Sequence, residues 1–243
     1  MKQPLHVEAA QSLAGLAEFA AVRWSWWARH SVDLVRALPG GDIVGLRGPD
    51  DLLVAEVFEH GAVHCVPPPG AAWQSGSAFM LFQERFKTVL VGAGADTRFA
   101  HALLGALNEM ASNAVEYASA PLCPIATYEV RDGSWCFSVT DVGCGVLRTL
   151  RRNPSYTNLS DDVDALRLAV QDGISATASP TRGYGFTHVF RALVNRMCAI
   201  RLRTVGARAA WSGRSPAAHL LGLSPAPVRD GFHVAVSGRI GST

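Results

Sequence analysis

The chain has 243 residues, enough for one large or two small domains. Its residues are 49% hydrophobic and 17% charged, which supplies a sizeable core and excludes a disordered chain. A net charge of +2 excludes a wholesale polybasic or acidic polypeptide, although the ends differ: residues 1–95 carry 7 Lys+Arg against 9 Asp+Glu, and residues 96–243 carry 15 against 11. No apolar run approaches the length of a membrane span. The start of the chain (Met1, Lys2, then Glu8) has no secretory h-region. Cys65, Cys123, Cys136, Cys144 and Cys198 are scattered without C-x-x-C pairs, so they read as reduced thiols in a cytoplasmic protein.

Residues 11–38 read as a helix carrying Trp24, Trp26 and Trp27, stopped by Pro39-Gly40-Gly41. A strand is expected over Asp42 to Leu46, then a helix opened by Pro49-Asp50-Asp51 and closed before Gly61. A second strand is expected over Ala62 to Val66. Strand, helix and strand in so short a span suggest a small βαβ unit, which resembles half of a STAS domain or else is an accessory α/β unit. A further helix runs from about Ser77 to Val91. Gly92-Ala93-Gly94 marks the boundary between an N-terminal α/β region, 1–95, and a second unit, 96–243.

Asp96 is placed to N-cap a long helix reaching about Ala118, with Phe99, Leu103, Leu107, Met110 and Ala114 as its apolar stripe. Ile125 to Val130, Asp132-Gly133 and Trp135 to Thr140 read as a β-hairpin with its turn. A polar stretch over 147–180 contains a helix near Asp164 to Gln171. Phe186, Val189, Phe190, Leu193, Val194 and Met197 then fall at helical spacing. Strands are expected over Ile200 to Val205, Arg208 to Ser212 and Phe232 to Ser237.

Three short patterns carry possible chemistry. Glu109 and Asn113 are four apart on the long helix and Glu116 is seven from Glu109, so the three share a face. A carboxylate and a carboxamide together can orient a water and help hold a hard, oxygen-seeking cation. A solvated helix face has the same pattern. Asp141-Val142-Gly143-Cys144-Gly145 ends the hairpin with a carboxylate and two glycines, suited to accept from an exocyclic amine and to let a ligand approach the backbone. An ordinary strand-to-loop turn would look alike. Arg182-Gly183-Tyr184-Gly185 opens the later amphipathic helix, and free N–H groups there suit phosphate.

In this order the three are more specific than any one alone. The stretch Leu107 to Ala118 (LNEMASNAVEYA) resembles the N-box of the GHKL superfamily of ATPases and kinases. Asp141-Val142-Gly143-Cys144-Gly145 is similar to its first glycine box, and Gly183-Tyr184-Gly185-Phe186 to its second. Asp172-Gly173-Ile174-Ser175 resembles the turn leading to the family's ATP lid. The resemblance spans roughly 97–240. It implies a Bergerat-type ATP site on a two-layer α/β sandwich, helices on one face of a mixed sheet. It further implies that Asn113 ligates Mg²⁺ bridging the phosphates of ATP and that Glu109 is the general base. Asp141 would bind the adenine amino group, with Gly143 and Gly145 giving the base room. Gly183 and Gly185 would present N–H groups to the phosphates. No lysine follows Lys87, so Arg182 is the substitute for a lid lysine, with Arg151 and Arg152 as further options.

A histidine kinase is disfavoured: His6, His30, His60, His64 and His101 are followed by Val7, Ser31, Gly61, Cys65 and Ala102, none of them acidic. The length is closer to anti-sigma-factor serine kinases. The expected function is therefore a regulatory protein that hydrolyses ATP or passes its γ-phosphate to a protein serine. The alternative is a switch that holds ATP or ADP and changes its affinity for a protein partner without turnover. A protein partner or a homodimer is expected. From Arg182 onward there are 9 Arg and 1 acidic residue, but without interleaved aromatics they read as solvated strands rather than a nucleic-acid surface.

Overall fold

A computed structural model describes residues 46–47, 53–58, 61–65, 77–117, 124–177 and 185–241, with side chains from residue 79 onward in those ranges. The tryptophan-bearing segment 11–38 lies outside the described residues. The first element is a two-residue strand, β1 (Leu46–Arg47), followed by β2 (Leu53–Phe58) and β3 (Gly61–Cys65). β2 is a correction, because a helix was expected there. Its sequence, LVAEVF, is rich in β-branched and aromatic residues, and a hairpin partner is at hand: Phe58 lies opposite Gly61 and Glu56 opposite Val63. A strand–helix–strand unit over residues 42–66 is therefore not formed.

Helix α1 (Ser77–Gly92) is turned into α2 (Thr97–Tyr117) at Gly94, where φ is +96°. There the N–H of Gly94 donates to the Val91 carbonyl and that of Ala95 to the Leu90 carbonyl, a Gly-closed helix end. Asp96 caps α2 as its sequence predicts: Oδ1 accepts from the N–H of Arg98 at 2.9 Å and of Phe99 at 3.1 Å. All five residues of the α2 stripe are buried. The hairpin follows as β4 (Ile125–Arg131) and β5 (Ser134–Asp141), with Asp132 and Gly133 both at positive φ, the geometry that favours Asp-Gly.

The polar stretch folds into α3 (Gly145–Leu150), a 3-10 turn at Pro154–Tyr156, and α4 (Asp162–Ala169). Asp161 caps α4 by accepting from the N–H of Asp164. Helix α5 (Gly185–Ala192) is shorter than its apolar periodicity predicts. Asn195 adopts φ +61° and ends the helical course, and the next strand already begins at Met197. Val194 and Met197 are accordingly exposed. The remaining strands are β6 (Met197–Arg203), β7 (Ala207–Arg214), β8 (Gly222–Pro225) and β9 (Phe232–Arg239).

Together the strands form one nine-stranded sheet in the order β1-β2-β3-β4-β5-β9-β6-β7-β8. Every pairing is antiparallel, so the mixed sheet that the family resemblance implied is corrected. One face is polar where β4 and β5 meet, with the Thr127 and Ser138 hydroxyls 2.7 Å apart. The other carries Tyr128, Trp135, Phe137, Val139, Ile200, Leu202, Val234 and Val236, all buried beneath the helices. The architecture is a two-layer α/β sandwich. Among the described residues no helix is long and apolar enough to cross a membrane.

The boundary expected at residue 95 falls between two helices that share this core. Phe86 of α1 stacks on Tyr128 with ring centroids 4.7 Å apart and meets Phe137 edge-on at 6.5 Å; Phe82 lies 5.0 Å from the same tyrosine. Burial pushes the Tyr128 phenol up to about 12. Phe86→Ala should cost about 3–5 kcal/mol in urea denaturation, the usual range for a buried phenylalanine. A chain beginning at Ala95 would leave Tyr128 and Phe137 uncovered and should show no cooperative thermal transition.

Candidate functional site

A cavity of about 540 Å³ opens between the helical layer and the end of the sheet where β5 stops and β9 starts. Its wall is drawn from α2 (Glu109, Asn113, Glu116), Asp141, Gly145 and Thr149, the first two turns of α5, and Phe232. Residues 76 positions apart in the chain, Glu109 and Gly185, meet here.

The contact between α2 and α5 sets the geometry of this wall. A methyl group built on Gly185 would come within 2.7 Å of Asn113 Nδ2, 3.3 Å of Glu109 Oε1 and 3.3 Å of Met110 Cε. Glycine is thus the residue that lets the start of α5 lie directly on the Glu109/Asn113 face. Three residues on, His188 Nδ1 sits 3.8 Å from Glu109 Oε2. Thr187, between them, donates its hydroxyl hydrogen to Asp172 Oδ1, which ties α5 to the turn after α4. The helix is held at both its α2 face and its α4 side.

Asp141 is buried at the other end of the cavity, 6% exposed. Its Oδ1 accepts from the N–H of Gly143 at 2.7 Å and of Phe232 at 3.2 Å. Both contacts fall on one oxygen, which leaves Oδ2 for a further donor. Burial raises this carboxyl from 3.8 to about 6, against the pull of the two backbone N–H groups. Gly231, at φ +95°, allows the approach of β9: a Cβ there would lie 2.0 Å from the Asp141 carbonyl oxygen.

The two glycines after Asp141 act differently. Gly143 supplies an N–H to the carboxylate. Gly145 has φ +78°, and a Cβ on it would meet Val205 Cγ2 at 2.5 Å and Thr204 Oγ1 at 2.9 Å. Its lack of a side chain makes room for the β6–β7 turn, while the N–H of Val146 is taken by Thr204 Oγ1 at 2.9 Å.

Arg182 and Gly183 lie outside the described residues. Arg151 and Arg152 do not line the cavity: Arg151 clamps the Leu159 carbonyl through Nε and a terminal nitrogen, and Arg152 reaches Cys144 Sγ at 3.7 Å. Sequence reading overlooked His188, Arg191, Thr149 and Phe232. The first two were legible, since His188 is three residues from Gly185, and Arg191 three from His188, on one amphipathic helix. Phe232 was not, because only the pairing of Asp141 with Phe232 across β5 and β9 brings it there.

Among the described residues no group of three or more His, Cys, Asp or Glu side chains could hold a metal by itself. Asn113, Glu109 and Glu116 bring side-chain oxygen atoms to one cavity wall, the donor type that hard divalent cations take.

No protein-family model matches the sequence, and no curated protein matches it. Among solved structures, the B-subunit of the DNA gyrase from Myxococcus xanthus is similar at 15% identity over 63% of this chain, with a TM-score of 0.29. The chain spans 37% of that structure's length. So loose a likeness carries no weight for function.

The Asp141 carboxyl makes stability depend on pH. Between about pH 4 and 6 the folded state keeps a proton that the unfolded chain releases, so stability from this group falls as pH rises through 6. Asparagine keeps the acceptor oxygen and has no charge to bury. Asp141→Asn should therefore raise stability at pH 8 by on the order of 1–3 kcal/mol and change it little at pH 4, measured by urea melts at both. Gly145→Ala should instead lower stability at every pH, because both its φ and the Val205 contact forbid the methyl group.

Proposed function

We propose that this protein binds an adenine nucleotide with Mg²⁺ in the cavity beneath α2 and α5. The observation that carries the reading is convergence. Glu109 and Asn113, Asp141 and Gly145, and Gly185 belong to stretches that resemble three motifs of one ATP-binding superfamily, and these five residues line one cavity.

Each residue has a role that follows from its chemistry. Ionised Asp141, with Oδ2 unused, accepts a hydrogen from the exocyclic amine of adenine; guanine presents a carbonyl oxygen at that position and would be repelled. Asn113 contributes its carboxamide oxygen to the cation that neutralises the phosphates. Gly185 opens α5, so backbone N–H groups of its first turn lie at the phosphate end. Glu109 is half-buried beside it and serves as the base. It takes the proton from a water or a protein serine hydroxyl while that oxygen bonds to the γ-phosphorus and the bond to the ADP oxygen breaks.

A second reading, a nucleotide-dependent switch for a protein partner with no turnover, is favoured by one contact. His188 Nδ1, 3.8 Å from Glu109 Oε2, stands against the carboxylate that a base would need open to water or to a hydroxyl.

Calorimetry with ATP and GTP tests the base assignment. Wild type should prefer ATP, and Asp141→Asn should lose roughly 5- to 150-fold in ATP affinity, equivalent to about 1–3 kcal/mol. One asparagine oxygen cannot serve Gly143, Phe232 and the ligand together. Asn113→Ala should weaken Mg-ATP, and Glu109→Ala should not. If the protein turns ATP over, Glu109→Ala should slow phosphate release or transfer by about 10²–10⁴-fold. Equal affinity for ATP and GTP would remove the adenine reading. Equal turnover in wild type and Glu109→Ala would remove the base.

A further inference from the structure

The charges on the cavity wall are unbalanced in a way that bears on the phosphate end of a ligand. Glu109, Glu116 and Asp141 bring three carboxyl groups to the wall. Against them, His188 and Arg191 are the basic residues among the described lining residues. They stand one helical turn apart on α5, and both line the cavity together with Gly185. His188 is directed toward Glu109, the residue at which the terminal phosphate would react. The Arg191 guanidinium is exposed, and no hydrogen bond or ion pair engages it among the described residues. A permanently charged fork of five donors, free beside an acidic wall, is a receptor for an oxyanion.

We propose that Arg191 and His188 receive the terminal phosphate of the nucleotide, and that they make the site select triphosphate over diphosphate and monophosphate. This rests on the nucleotide reading above. Arginine suits the task because its planar donors can hold two phosphate oxygens at once. His188 joins it from the preceding turn of the same helix, where its Nδ1 stands 3.8 Å from Glu109 Oε2.

The test uses the full chain with Mg²⁺ and titrates ATP, GTP, ADP, AMP and inorganic tripolyphosphate into wild type, Arg191→Gln and His188→Gln. Both side chains are exposed, so matching thermal melts should show intact folds. Wild type should bind ATP tighter than ADP and ADP tighter than AMP. Arg191→Gln should lose about 10-fold or more for ATP and tripolyphosphate and under about 2-fold for AMP, with His188→Gln losing less. Arg191→Lys should recover part of the loss.

Equal losses for ATP and AMP, or none for ATP, would overturn the inference. So would a wild type that prefers adenine but binds ATP, ADP and AMP alike, in which case the adenine reading stands without it. If tripolyphosphate binds and Arg191→Gln abolishes it while ATP and GTP bind equally, the anion site stands and the adenine reading falls. A wild type that binds none of these overturns both.

Discussion

Everything about the cavity depends on how closely α5 can lie against α2. A single missing methyl group at position 185 sets that separation, because any side chain there would strike the Asn113 amide first and the Glu109 carboxylate next. The consequences run outward along the helix. With its first residue fixed, the next turns bring a histidine to the Glu109 carboxylate and an arginine to the cavity mouth. Thr187 then locks the rotation of the helix by bonding to Asp172. Polar groups that would be solvated on separate helices become the facing sides of one pocket.

The opposite end is fixed by a different economy. One oxygen of Asp141 satisfies two strands at once, joining the turn after β5 to the first residue of β9. A buried carboxylate is costly, and burial here raises its pKa despite the two backbone donors.

Elements with strong local signals were legible in the chain: the Asp96 cap and α2 stripe, the Asp-Gly hairpin, and the strands β6, β7 and β9, whereas the short β8 was not. Where local and tertiary preferences diverged, the sequence misled. Leu53 to Phe58 follows a Pro-Asp-Asp run that looks like a helix start, yet its β-branched residues pair with the neighbouring strand and extend the sheet. The apolar rhythm after Phe186 continues to Met197, but Asn195 turns left-handed and the last two apolar residues stay outside. At the site, Glu109, Asn113, Asp141 and Gly185 could be read because each lies in a short motif. Phe232 belongs to no motif and enters only through strand pairing, and the partners of Arg151 depend on a loop whose path has no periodicity.

The strand order has a kinetic meaning. β9 lies between β5 and β6, although it follows every other strand in the chain. Until it inserts, β1 to β5 and β6 to β8 are two separate ribbons with raw inner edges, and Asp141 lacks its second backbone donor. On a ribosome those edges must wait, open to pairing with other chains, for the final strand to emerge. Contacts this distant in sequence form slowly. The cavity is therefore among the last features to be completed, and a nascent chain stalled shortly before Phe232 would be a sheet in two halves with no pocket between them.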